Sequence, residues 1–162
     1  MNGGKDFCEW SKNDKELARG IGIPVAFVLG KYGKGLVPMA LAESYLEKGQ
    51  DIFEIFSLAE KGKMETDSGG KLEMFFVGVG LLAWLSVLNR DAEGAEKTLL
   101  SFRERARKDA PNLLPNIDAF LCRVHLYMGK DVADWMSQAP DESREFCTMD
   151  RFRYLTKVRI YI

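Results

Sequence analysis

Three short stretches of this chain recur at a fixed interval. They are Gly49-Gln50-Asp51, Asn89-Arg90-Asp91 and Gly129-Lys130-Asp131, and their aspartates stand 40 residues apart each time. Gly or Asn suits the position just past a helix, where one residue turns left-handed. Asp suits the N-cap of the next helix, because its carboxylate accepts from backbone N–H groups left without partners. Each stretch therefore reads as the turn of a helical hairpin, and a period of about 40 predicts a stacked array. Alignment on the Asp supports this. Leu41, Leu81 and Leu121 share one column, Ala42, Leu82 and Cys122 the next, and Tyr45, Leu85 and His125 a third. On the following arm the columns are Ile52, Ala92, Val132; Ile55, Ala95, Trp135; and Ala59, Leu99, Ala139. All but His125 are apolar or small.

The hydrophobic fraction of 46% supports a packed core, and no long alternation of apolar and polar residues points to a sheet. The expected class is all-α, a right-handed α-α superhelix of tetratricopeptide-like hairpins filling one domain over 1–162. The helix pairs are expected at about 36–64, 71–108 and 116–138 with flanking helices. Pro38 is expected in a first turn, Gly30 to Gly35 as a turn, and Glu65 to Gly70 as a linker; Pro111 and Pro115 bracket another. Residues 71–88 are apolar all round, which predicts cover on both sides. Residues 92–108 carry one stripe, Ala92, Ala95, Leu99, Phe102 and Ala106. Lys12 to Arg19 reads as helical, Pro24 to Leu29 as an apolar segment, Asp141 to Glu145 as a polar break, and a last helix begins near 148. Its pattern Phe152, Leu155, Val158, Ile162 runs to the final residue, so the expectation is an excised fragment whose parent continues.

Cys8, Cys122 and Cys147 show no CxxC spacing, and no signal peptide precedes them, which predicts reduced thiols in the cytoplasm. The apolar run from Met74 to Leu85 is short and contains glycines, so a buried helix is expected and no membrane span. A formal charge of −1 gives no argument for nucleic-acid binding. Gly78-Val79-Gly80-Leu81-Leu82-Ala83 matches a G-x-G-x-x-A dinucleotide pattern, but the repeat register puts it inside a helix, where glycines allow close packing. Gly30-Lys31-Tyr32-Gly33-Lys34-Gly35 lacks the order of a phosphate loop. His125 is the single histidine, so no histidine pair exists for a metal. Cys122 stands three residues before it, on the same helix face, in a core column. Lys97, Arg103, Arg105, Arg107 and Lys108 interleave with Glu96 and Glu104, as a solvated face does; Arg151, Arg153, Lys157 and Arg159 form a second basic group.

The stretch Pro115-Asn116-Ile117-Asp118-Ala119-Phe120 through Met128-Gly129-Lys130-Asp131 resembles the helical-repeat region of MalT-like regulators of the LuxR family. So do Arg144-Glu145-Phe146 and Arg153-Tyr154-Leu155-Thr156-Lys157-Val158-Arg159, with Lys157-Val158 departing from the family's more frequent Ala before Arg. Leu41 to Gly49 resembles a tetratricopeptide-type first helix. The likeness spans about residues 30–162. It implies a sensor segment of a transcription regulator, with a nucleotide-binding module and a DNA-binding helix-turn-helix elsewhere in the parent. DNA would be met only through that missing C-terminal domain.

The expected function is accordingly non-enzymatic and needs no cofactor. The segment would bind an effector or a protein partner on a concave face and relay that state to the absent domains. Tyr45, Trp84, His125 and Tyr127 are the candidate lining. One rival is a plain tetratricopeptide-like protein–protein scaffold. The other is a nucleotide-binding enzyme using Gly78 and Gly80, which would require a strand before Gly78. The unfinished last helix predicts a stripe that folds back or is covered by a second copy in a homodimer.

Overall fold

The computed structural model describes residues 31–67, 72–140 and 150–162. Those residues form seven α-helices and one short 3-10 turn, with no strand among them. The helices are α1 (Lys31–Glu47), α2 (Ile52–Asp67), α3 (Leu72–Leu88), α4 (Ala92–Asp109), α5 (Leu114–Tyr127), α6 (Ala133–Gln138) and α7 (Arg151–Tyr161), with the 3-10 turn Pro111–Leu113 before α5. The all-α expectation holds. The chain divides into two compact units at Leu82 and Ala83, a boundary inside α3. The readings of Lys12 to Arg19, Pro24 to Leu29, Asp141 to Glu145 and Arg144-Glu145-Phe146 lie outside the described residues, as do Cys8 and Cys147.

All three predicted turns form, and one backbone pattern makes them. Gly49 N–H bonds to Leu46 O and Gln50 N–H to Tyr45 O; the same pairs recur as Arg90 to Val87 with Asp91 to Ser86, and as Gly129 to Leu126 with Lys130 to His125. This is the Schellman arrangement, which satisfies carbonyls at a helix end and needs one left-handed residue. The left-handed residues are Gly49 (φ 64°), Arg90 (φ 64°) and Gly129 (φ 66°). The middle turn thus departs from the expected register, because Arg90 takes the left-handed position and not Asn89. There Asp91 both closes the old helix and caps the new one, its Oδ1 accepting from Gly94 N at 2.9 Å. Asp51 accepts from Phe53 N at 2.8 Å and Asp131 from Ala133 N at 2.9 Å.

In the first unit α1 packs along α2. The helices meet at glycines: a methyl at Gly35 would lie 2.5 Å from Gly62 O and from Thr66 Cγ2, and one at Gly62 would lie 2.8 Å from Gly35 O. No side chain fits between these backbones. Three expectations are corrected here. Residues 31–35 are helical rather than a turn, since Gly35 serves this crossing. Pro38 lies inside α1 rather than in its first turn, removing one helical hydrogen bond but burying its ring. The linker expected from Glu65 is helical to Asp67, because Thr66 is buried and donates to Gly62 O at 3.0 Å. Gly78 of α3 closes on Lys63 and Met39, the close packing read for it from sequence.

The aligned columns differ in depth. Ala42, Leu82 and Cys122 are all buried, while Leu41 and Leu81 are half-buried against a buried Leu121. In the second unit α5 is the central element, packing on α4, α6 and α7. Its Ile117, Leu121 and Val124 are buried, as are Ala95, Leu99, Phe102 and Ala106 of α4, the stripe read from the sequence except for half-buried Ala92. The expectation of cover all round α3 fails in part: Val77 and Leu88 are 47% and 44% exposed.

Candidate functional site

The second arm of the third helix pair is short. α2 and α4 have 16 and 18 residues, whereas α6 has six and buries none of them. Ile55 and Ala95 are buried at the repeat position where Trp135 is only half-buried. The face of α5 beside this short arm therefore stays open as a cleft of about 360 Å³. Arg103, Asp118, Cys122, His125, Trp135 and Gln138 are among its lining residues.

Two charged groups organise its walls. Arg103 Nε donates to Asp118 Oδ1 at 2.6 Å and an Nη to Oδ2 at 3.3 Å, a two-point pairing of α4 with α5. The Asp118 carboxylate raises the guanidinium pKa above its ordinary value, outweighing partial burial. Near the third turn, Lys130 Nζ donates to both oxygens of Glu96, at 2.8 and 2.7 Å, and His125 Nε2 lies 2.7 Å from Glu96 Oε1. The Lys130 bond first, and the His125 bond second, hold the Glu96 carboxyl below its ordinary value against desolvation. Burial pushes the Cys122 thiol up to about 11, so it is a neutral thiol near pH 7 and no nucleophile. With Nε2 of His125 turned to Glu96, the sequence neighbours Cys122 and His125 show no catalytic couple.

The four predicted lining residues do not form one surface. Tyr45 is fully buried in the first unit, because its column is core. His125 lines the cleft described above. Trp84 and Tyr127 meet edge to face, centroids 5.4 Å apart, and Tyr127 lines a different cleft. Two positions apart on a helix, side chains 125 and 127 project to different sides. Sequence reading missed Arg103, Asp118 and Trp135 as lining residues, and Glu96 as the partner of His125. Arg103 and Glu96 stood within a mixed-charge face, and their partners are 15 and 34 residues away, separations no local pattern encodes.

Gly78 and Gly80 lie inside the continuous helix α3, so no phosphate-binding turn follows a strand there. Lys97, Arg105 and Lys108 are exposed, and Arg107 pairs with Glu104 at 3.2 Å, the arrangement of a solvated face. In the last helix Arg153 pairs with Asp150 at 2.9 Å and Lys157 donates to Pro140 O at 3.1 Å. Among the described residues no cluster of His, Cys, Asp and Glu is placed to hold a metal ion, and no helix is long and apolar enough to cross a membrane. Comparison with protein-family models, with curated proteins and with solved structures finds no match to this chain.

Proposed function

We propose that this chain is a non-catalytic binding segment built from tetratricopeptide-like helix pairs, and that it serves as the sensor region of a MalT-like LuxR-family regulator. Its pairs would continue a right-handed superhelix, and an effector or protein partner would occupy the cleft beside α6. The observation that carries this reading is the truncated third arm. It leaves Trp135, Arg103 and Asp118 at an open face where a full-length arm would have sealed them. An aromatic ring beside a rigid charged pair is what a binding surface needs, since aromatic and Arg side chains dominate interface energetics. The regulator assignment rests on the resemblance of residues 115–131, 144–146 and 153–159.

Reading the gene on both sides of these codons tests the class. A nucleotide-binding module before them and a helix-turn-helix after them are expected; a frame that encodes neither would overturn the assignment. In the complete regulator, Trp135→Ala should blunt induction of its target promoter with thermal stability unchanged. Full induction by that variant would remove the cleft from the reading.

A further inference from the structure

The opposite side of α5 carries a second cleft, of about 310 Å³, lined by Arg123, Leu126, Tyr127 and Arg159. Arg123 is held in place from three directions. Its Nε donates to Thr156 Oγ1 at 2.7 Å, an Nη to Phe152 O at 3.4 Å, and its guanidinium lies 4.0 Å from the centroid of the Phe152 ring. Thr156 is itself fully buried and Phe152 is stacked on Phe120 at 5.0 Å, so the anchor is rigid. Two of the five guanidinium N–H donors are used in this way. Among the described residues no carboxylate pairs with Arg123 or with Arg159. Three other cations of this unit are neutralised: Arg103 by Asp118, Arg107 by Glu104 and Lys130 by Glu96. Burial, and then the nearby Arg159, lower the Arg123 pKa to about 10, as two cations sharing a site without an anion do.

We propose that Arg123 and Arg159, with Leu126 and Tyr127, bind a small phosphate monoester that carries an apolar or aromatic body. Two guanidinium groups call for about two negative charges, which a phosphate monoester supplies near neutral pH and a monocarboxylate does not. The free edges of the guanidinium planes match phosphate oxygens with several donors at once. Leu126 and the Tyr127 ring, fixed by its edge-to-face contact with Trp84, give the ligand body an apolar wall. The volume lies at the small end of ligand pockets, about 300 Å³ and upward, which fits one phosphate and one ring. The site stands independently of the cleft beside α6.

Isothermal titration of the full chain with phenyl phosphate, inorganic phosphate and phenylacetate tests this. Phenyl phosphate should saturate one site, with inorganic phosphate weaker because it leaves the apolar wall uncovered. Phenylacetate should bind at least about tenfold more weakly. Arg159 is exposed, so Arg159→Gln leaves the fold intact, and it should weaken phenyl phosphate about tenfold or more through the lost charged hydrogen bonds. Arg107→Gln, an exposed cation elsewhere, should change nothing. No saturation by phenyl phosphate, undiminished affinity in Arg159→Gln, or equal weakening by Arg107→Gln would overturn the site. Phenylacetate or inorganic phosphate binding as tightly as phenyl phosphate would overturn the ligand class.

Discussion

Arg90 occupies a backbone conformation that a side chain resists. A left-handed L-residue such as Arg costs about 1–2 kcal/mol, a cost glycine escapes. The first and third turns use Gly49 and Gly129; the second uses Arg90. Arg90→Gly should therefore stabilise the chain by about 0.5–1 kcal/mol, less than the full strain because glycine also frees the unfolded chain. Gly49→Ala and Gly129→Ala should each destabilise by about 1 kcal/mol. Nothing stands within 4 Å of a methyl at either glycine, so urea melts would read backbone strain without a clash. Glu96 carries a second expectation at this scale. Its folded pKa lies below its ordinary 4.5, so its contribution is complete above that value. It is lost as pH falls through the lower, folded value, when the carboxyl releases Lys130 and His125. Stability measured from pH 7 down to pH 3 should fall less steeply in Glu96→Gln than in the parent; parallel curves would show that these bonds are too exposed to matter.

At the scale of elements, the glycine crossing decides how α1 meets α2. A methyl at Gly62 would lie 2.4 Å from Met39 Cγ and 2.8 Å from Gly35 O, and the second contact is with rigid backbone. Forcing helices apart in a packed core costs about 1–3 kcal/mol, and Gly62→Ala should lose at least that much despite its better helix propensity. An exposed position of α2, such as Ser57, should gain from the change to Ala instead, by a few tenths of a kcal/mol to about 0.5 kcal/mol. If both variants melt together, the close approach is not what holds the pair. The short α6 makes the complementary point. An arm that fails to continue opens a face, and the cleft with Trp135 is its direct consequence.

For the whole molecule, the unmatched surface is apolar. On α7, Phe152 is half-buried against Phe120, but Leu155 is 44%, Val158 37% and Ile162 99% exposed. The stripe does not fold back onto the helices described. A second copy covering it should appear as concentration-dependent mass in light scattering, and Leu155→Glu should abolish that mass. A monomer at every concentration, with or without the substitution, would show that the stripe is no interface. Neither unit needs this contact to bury its own core, since Met39, Tyr45 and Ile55 of the first and Leu85, Leu99, Ile117 and Val124 of the second are already fully buried.

What the amino-acid order determined by itself is local. The three turns, the helices they join and the stripe on α4 follow from caps, left-handed positions and a 3.6-residue period, each acting within a few neighbours. Tertiary structure decided the rest. It turned the glycines at 35, 62 and 78 into contact points and buried Tyr45, an aromatic of a first helix that had been a candidate lining residue. It also brought Arg123 beside Arg159 and Arg103 beside Asp118. The physical reason is range. A cap is satisfied by residues two or three positions away, whereas a binding face is assembled from side chains whose meeting depends on how separate helices pack.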